Sequence, residues 1–255
     1  MTLGDLYKIF SEKNLNISTD TRKISPGDIF FALKGDNFDG NKFIDEALGK
    51  GASFAVSENS EDLRENVVCV SDCTKALQEF ASIHRESLKI PIVAITGSNG
   101  KTTTKELVRE VLSKKFKVLA SPASFNNHIG VPLTVLSIKS EHEIAILEMG
   151  DNHEGEITSL CEMARPTHGL ITNIGRDHIG EAGGPEANVR AKLELYEYFK
   201  KSGGINFLNH EDGLLVENSK NLKNVNYVNG EVLDSEEFLK MKIEDYDINT
   251  QFIGD

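Results

Sequence analysis

The sequence predicts an α/β protein in two parts: a small N-terminal α/β unit over residues 1–88, then a mostly parallel-sheet phosphate-loop ATPase domain over residues 89–255. Three observations carry this reading. From Ile90 onward, apolar runs of strand length alternate with stretches of helical periodicity, the pattern of a parallel sheet with helices on both faces. The run "VAITGSNGKTTTKELV", Val93 to Val108, joins an apolar strand to a helix through a Gly-rich turn that ends in Lys and three threonines. Pro91 ends the preceding helical pattern and sets the boundary near residues 88–91.

The elements follow in order. Leu3, Leu6, Tyr7 and Phe10 recur at helical spacing. "SPGD" (25–28) is a turn, and "DIFFAL" behind it reads as a buried strand. "KFIDEALGKG" is a helix closed by Gly51, and "ASFAVSE" and "NVVCVSD" are strands. Asp72 is placed to cap the helix "CTKALQEFASIHRESLK", with Ala76, Leu77, Phe80, Ile83 and His84 on one face, His84 as a packed histidine. In the second part, strand "IPIVAIT" feeds helix "KTTTKELVREVLSKKF", where Leu107, Val108, Val111 and Leu112 form an apolar stripe. Strands "KVLAS" and "EIAILEM" flank the segment "FNNHIGVPLTVLSI". Helix "GEITSLCEMA" stops at Arg165-Pro166, and strand "HGLITNI" precedes helix "EANVRAKLELYEYFK". After Gly204 the chain turns β-rich through "GINFLN", "NVNYVNG", "FLKMKIED" and "NTQFIGD". The closing "FIGD" breaks off inside a strand-like pattern, so the second domain is expected to be cut before its end.

Composition bounds the function. The chain has 255 residues and a formal net charge of −12, which argues against nucleic acid and membrane surfaces as partners. Any anionic ligand must therefore be held by local features: backbone amides, helix N-termini, a few cations and bound metal. Cys69, Cys73 and Cys161 form no CxxC pair, which speaks against a zinc site or a disulfide framework. No run approaches the roughly 20 apolar residues that span a bilayer, and the N-terminus lacks a signal-peptide layout. A cytoplasmic protein without membrane insertion is expected.

Parallel sheets bind ligands beyond the carboxyl ends of their strands. Three strands here carry polar groups to that end: one opens onto the turn Gly97, Ser98, Asn99, Gly100, Lys101, Thr102 and Thr103, one ends at Glu148, and one ends at Asn173 and runs on to Asp177 and His178. The first turn suits phosphate, because Gly97 and Gly100 free the backbone to aim successive N–H groups inward and the following helix points its N-terminus at the same spot. The alternative is a plain strand–helix turn with a surface lysine. The general phosphate-loop signature also has a glycine where this chain has Ile95. Glu148 ends an apolar strand, and a buried carboxylate needs a salt bridge, hydrogen bonds or a metal such as Mg²⁺. His178 and Lys192 carry no signal alone.

The turn "AITGSNGKTT" resembles the shortened phosphate loop of the Mur ligase family, in which the first glycine is absent. "SFNNHIGVPLTVL" (124–136), "LEMGDNHEGEI" (147–157), "THGLITNIGRDHIG" (167–180) and "VRAKLELYEYF" (189–199) are similar to the members of that family that add D-alanyl-D-alanine. "STDTRKISPGDIFFALKGDNFDGNKFIDEAL" (18–48) resembles their UDP-sugar-peptide-binding domain.

The resemblance implies ATP-driven amide formation between UDP-N-acetylmuramoyl-tripeptide and D-alanyl-D-alanine, by a monomer, with ATP and two Mg²⁺ ions as cofactors. Lys101 and the Gly97–Thr103 backbone would hold the ATP phosphates, and Asn126 and Asn127 would lie beside the nucleotide. Thr102 and Glu148 would bind one Mg²⁺ and His178 the second. Lys192 matches a lysine that the family carbamylates, turning a repelled ammonium into an anionic oxygen ligand. Thr21 and Arg22 match the segment that meets the UDP-sugar portion. Asn41 stands where relatives often carry histidine, and "GRDH" departs from the usual residues before the metal histidine, which leaves Asp177 without a role. The tripeptide-forming ligase that adds a diamino acid, and a noncatalytic nucleotide-binding module, are the alternatives. Members of the family continue into a C-terminal domain, so the chain as given is expected not to form the amide by itself.

Overall fold

The computed structural model describes residues 1–123, 125–175 and 184–226, together with strands over 231–234, 240–243 and 246–249. The chain opens on α1 (Leu3–Lys13), whose Thr2 and Asp5 cap each other reciprocally. Four short parallel strands build the first sheet: β1 (Ile17–Ser18), β2 (Ile29–Phe31), β5 (Phe54–Ser57) and β6 (Val67–Cys69), in the order β1-β2-β5-β6. Between them lie a two-residue antiparallel pair, β3 (Lys34–Gly35) with β4 (Phe38–Asp39), and α2 (Ile44–Gly49). Helix α3 (Cys73–Ser87) starts on Asp72, which accepts the Lys75 N–H as the sequence predicts.

The second sheet has six strands, all parallel: β7 (Ile92–Thr96), β8 (Val118–Ala120), β9 (Ile144–Glu148), β10 (His168–Ile171), β11 (Ile205–Leu208) and β12 (Lys223–Asn226). Their order is β12-β11-β10-β7-β9-β8. The chain therefore builds outward from β7 first to one side and then to the other, which makes β7 the switch point where such sheets open a crevice. Helix α4 (Lys101–Leu112) covers one face through Val93, Ile95 and Ile146. Helices α5 (Gly130–Leu136), α6 (Glu156–Ala164) and α7 (Pro185–Ser202) cover the other through Ile92, Ala94, Ala145 and Leu147. A short α8 (Gly213–Asn218) lies between β11 and β12. Strands β13 (Glu231–Asp234), β14 (Lys240–Ile243) and β15 (Tyr246–Asn249) form a separate antiparallel sheet.

Two details differ from the sequence reading. Helical periodicity places Leu107 and Val111 in the apolar stripe of α4, but they are exposed at 44% and 70%, and of the four only Val108 and Leu112 pack toward the sheet. The buried residue of that helix is instead Lys105, at 0% exposure. The segment before β9 holds a helix, α5, preceded by a turn in which the Asn127 side chain accepts the Ile129 and Gly130 N–H groups.

The two parts share one continuous apolar core, and α3 packs against α1 on one side and against α5 and α6 on the other. Arg85 fastens this junction. It is 7% exposed and donates from Nε to the Ala164 carbonyl at 2.8 Å, and from its two Nη atoms to Leu88 and Arg165 carbonyls at 3.0 and 3.1 Å. It thereby satisfies carbonyls at the end of α6 that have no helical partner. His84 lies one position earlier, with Nε2 2.9 Å from the Ile138 carbonyl and Nδ1 3.3 Å from the Tyr7 hydroxyl. No helix among the described residues is long and apolar enough to cross a membrane.

Burial lowers the His84 pKa below its ordinary 6.5, and the nearby Lys139 adds to this against the opposing bond to Ile138. The folded ring is therefore neutral where the unfolded ring takes up a proton. The stability it supports is complete above about pH 6.5 and is lost as pH falls through the lower, folded pKa. Urea unfolding at about pH 7.5 and about pH 5.5 should show a smaller loss in His84→Gln than in the parent chain. Equal losses would remove His84 from the acid sensitivity.

Candidate functional site

At the carboxyl edge of the second sheet, register brings the three predicted strand ends together. Ile95 pairs with Glu148 across β7 and β9, and Thr96 pairs with Ile171 across β7 and β10. The turn after β7 leaves the sheet with Gly97 at φ 138° and Gly100 at φ 76°. These glycines act differently. A Cβ on Gly97 would stand 2.1 Å from the Thr172 hydroxyl oxygen, whereas one on Gly100 would meet nothing within 4 Å. Gly97 thus permits close approach to β10, and Gly100 supplies only a left-handed conformation ahead of α4.

The loop is tied to the end of β10. The Ser98 N–H donates to the Asn173 carbonyl at 2.9 Å, the Asn99 N–H to Asn173 Oδ1 at 3.1 Å, and the Thr172 hydroxyl to the Asn99 carbonyl at 2.6 Å. Ser98 Oγ accepts the Gly175 N–H at 2.8 Å. Lys101 folds back over the turn, donating to the Gly97 and Ser98 carbonyls at 2.6 and 3.1 Å. Burial lowers its pKa, the like charge of Lys192 adds to this, and Glu148 and Asp151 oppose it. Thr103 is exposed on the first turn of α4.

Glu148 is 1% exposed, and its carboxylate is fully engaged. Oε2 accepts the Thr102 hydroxyl at 2.9 Å, Oε1 accepts Asn126 Nδ2 at 2.9 Å, and Lys105 Nζ lies 3.7 Å from Oε2. No cluster of three His, Cys, Asp or Glu residues gathers among the described residues. Mg²⁺ needs less than that, since one or two carboxylates with phosphate oxygens suffice. A buried carboxylate beside a threonine hydroxyl at the mouth of a glycine turn is an oxygen donor set of that hard kind, so these residues fit Mg²⁺.

Lys192 is buried on α7 and donates to both Asp151 oxygens at 2.7 Å and to Asn188 Oδ1 at 3.0 Å. Asp151 follows β9 by three residues, within "LEMGDNHEGEI". Its pairing across to α7 is a tertiary contact with no local signal. Lys105 did leave one: it stands four residues after Lys101 and so shares its helix face. His178 and Asp177 lie outside the described residues.

Lys101, Asn126, Asn127 and Asp151 line a cleft of about 750 Å³, closed on one side by Gln78 of α3. Asn127 contributes to its wall while its side-chain oxygen accepts the Ile129 and Gly130 N–H groups. Thr21 and Arg22 lie elsewhere, in a hollow of about 530 Å³ in the first part, with Phe30, Phe38 and Phe43. The Phe38 and Phe43 rings stack there at 5.5 Å. Thr21 donates to Glu46 at 2.9 Å, and Arg22 is held by Asp20 through two bonds of 2.8 and 2.7 Å. Asn41 is a scaffold residue that accepts Ser57 Oγ and the Glu58 N–H.

Residues 95–254 match the Mur ligase middle domain, and residues 15–95 match the Mur ligase family, catalytic domain. The UDP-N-acetylmuramoyl-tripeptide–D-alanyl-D-alanine ligase of Synechocystis sp. is 43% identical over 80% of this chain and 46% of its own length. The ligase of the same name from Bacillus subtilis is 38% identical over 84% and 47%. Among solved structures, MurF from Acinetobacter baumannii superposes with a TM-score of 0.82 at 30% identity, covering 94% of this chain and 56% of that one. MurF ligase from Thermotoga maritima in complex with ADP gives 0.79 at 26% identity, covering 92% and 57%. The chain spans about half the length of the curated relatives it matches.

The two loop glycines predict a graded result in thermal unfolding. Gly100→Ala should cost about 1–2 kcal/mol, the strain of a left-handed alanine. Gly97→Ala adds a steric clash and should cost about 3 kcal/mol or more. Equal costs at both positions would mean that the turn does not press against β10 as described.

Proposed function

The chain belongs to the Mur ligase family, and on that premise we propose that it carries the UDP-sugar-peptide and ATP sites of a D-alanyl-D-alanine-adding ligase. One observation carries the reading: the glycine turn with Lys101, the Thr102–Glu148 pair and the Lys192–Asp151 pair converge on one edge of a parallel sheet beside a large cleft. ATP use is supported by the ADP-bound Thermotoga maritima relative. Residues 1–88 would bind the UDP end of UDP-N-acetylmuramoyl-tripeptide through the hollow at Thr21 and Arg22, and residues 89–255 would bind ATP. The proposal is for a monomer acting on soluble nucleotide precursors in the cytoplasm, as the family resemblance implies.

In the reaction so proposed, a carboxylate oxygen of the tripeptide attacks the γ-phosphorus of ATP, the bridging P–O bond breaks, and ADP leaves. The amine of D-alanyl-D-alanine then attacks the acyl carbon, gives up a proton, and displaces phosphate through a tetrahedral intermediate. The Gly97–Thr103 amides and the α4 N-terminus would hold the β- and γ-phosphates, and Lys101 would turn from its own loop carbonyls to the transferring group. Bound Mg²⁺ would neutralise phosphate charge, held by Thr102 and Glu148, with His178 assigned to a second ion. Asn126 would keep Glu148 oriented, and Asn127 would border the nucleotide. No side-chain nucleophile is required, which fits Cys73 and Cys161 being buried thiols with raised pKa.

Carbamylation of Lys192 is part of this proposal, and its condition follows from the geometry. The amine must first leave its ion pair with Asp151, because only a neutral amine adds CO₂. With ¹³C-bicarbonate, Mg²⁺ and ADP, a carbamate carbonyl resonance should appear in the protein and be absent in Lys192→Ala. No such resonance would leave Lys192 as the ion-pair partner of Asp151 only.

The ligase reading is tested on the protein that carries this chain, with ATP, Mg²⁺, UDP-N-acetylmuramoyl-tripeptide and D-alanyl-D-alanine. ADP, phosphate and a new amide should form together, and Lys101→Ala should lower the rate by about 100-fold or more, as loss of a transition-state cation does. Amide formation with a free diamino acid instead would favour the tripeptide-forming ligase. ATP binding without any product would favour a noncatalytic module.

A further inference from the structure

Lys105 has no role in the proposed chemistry, yet it is among the most deeply buried charged groups of the chain, at 0% exposure. A lysine is almost never fully buried unless it is paired. Its ammonium has four oxygen neighbours. It donates to the Ser121 and Ala123 carbonyls, both at 2.8 Å, and lies 3.2 Å from Glu106 Oε1 and 3.7 Å from Glu148 Oε2.

Two of these neighbours make the arrangement more than a packed salt bridge. Ala123 has φ +43°, a left-handed conformation that a non-glycine residue adopts at a cost. Its carbonyl is held in that conformation against the Lys105 ammonium. The strand end is held too, because the Glu148 N–H donates to Ser121 Oγ at 3.1 Å. Three residues beyond Ala123 comes Asn126, whose amide holds the second Glu148 oxygen. Lys105 therefore lies against both the carboxylate and the carbonyls of Ser121 and Ala123, of which Ser121 also accepts the Glu148 N–H through its side chain.

Resting on the reading above, we propose that Lys105 is a positioning residue that orients Glu148 toward Mg²⁺, through its charge beside the carboxylate and through its hold on the Ser121 and Ala123 carbonyls. Among the described residues its Nζ contacts two carbonyl and two carboxylate oxygens, so the role proposed for it is exerted through Glu148. Partners that orient a metal ligand commonly matter 10–100-fold in metal affinity when removed.

The probe is ADP titrated with and without Mg²⁺, the ratio of the two affinities measuring what the metal side contributes. Lys105→Met removes both charge and donors, and Lys105→Gln removes the charge while keeping an amide donor. Both should cut the Mg²⁺-dependent gain by about tenfold or more while leaving metal-free ADP binding within about twofold. In a Glu148→Gln background the same substitutions should add almost nothing, because the group they orient is gone. A purely structural lysine would lower the unfolding temperature and leave the Mg²⁺ ratio intact, and that result overturns the proposal. A larger Mg²⁺ gain in the variants overturns it as well, since Lys105 would then only repel the metal.

A measurement on the unaltered protein keeps the test open should both variants fail to fold. With ¹⁵Nζ-labelled lysine, the Lys105 ammonium resonance should move on adding Mg²⁺ and ADP together and stay in place with ADP alone; a resonance indifferent to Mg²⁺ counts against the role. If the parent protein shows no Mg²⁺-dependent gain at all, the nucleotide–metal reading itself falls. A parent gain that the variants retain refutes Lys105 alone.

Discussion

Glu148 ends a strand whose other residues are apolar, and its carboxylate is removed from water. A charge so placed costs several kcal/mol unless the surrounding groups compensate it. Compensation here comes from three groups on two elements: Thr102 from the first turn of α4, Lys105 from its next turn, and Asn126 from the stretch before α5. Each of these groups must reach the same point, which fixes α4, the glycine turn and the β8–α5 connection relative to β9. The strand order, with β7 between β9 and β10, then places the turn's amides beside that carboxylate.

A second buried pair, Lys192 with Asp151, stands on the other side of the same opening. It joins α7 to the end of β9, so both charged centres depend on the one strand. Lys101 lies within electrostatic reach of both, its pKa lowered mainly by burial and further by Lys192. In a chain of formal net charge −12, this local gathering of lysines and backbone amides is what can attract a nucleotide. The first part of the chain reaches the opening as well. Gln78 of α3 lines the cleft and donates to the His128 carbonyl at 3.0 Å, while Arg85 and His84 hold α3 against the end of α6 and the residues just after α5.

Much of this was legible locally. The strand–turn–helix from Val93 to Val108 follows from its apolar run, its glycines and its lysine, and Glu148 stands out as a carboxylate on an apolar strand. The α3 cap by Asp72 and the packed His84 follow from spacing alone. What sequence could not give are contacts between distant segments. Periodicity treats Lys105 as a polar helix position, and its burial is made tolerable by the Ser121 and Ala123 carbonyls together with the Glu106 and Glu148 carboxylates. The same blindness put Leu107 and Val111 in the stripe, although α4 leans on the sheet through Val108 and Leu112. Asp151 acquires meaning only from Lys192 across on α7. Asn127 lines the cleft, and that its amide oxygen also accepts the Ile129 and Gly130 N–H groups ahead of α5 had no sign in the sequence.

That Glu148 and Thr102 form the metal side of a nucleotide site is tested most directly by a crystal structure grown with ADP and Mn²⁺ in place of Mg²⁺. The expected result is anomalous density bonded to Glu148 and to the Thr102 hydroxyl, with the ADP phosphates on the amides of Gly97–Thr103. Manganese bound away from Glu148, or phosphates seated outside that turn, would contradict it.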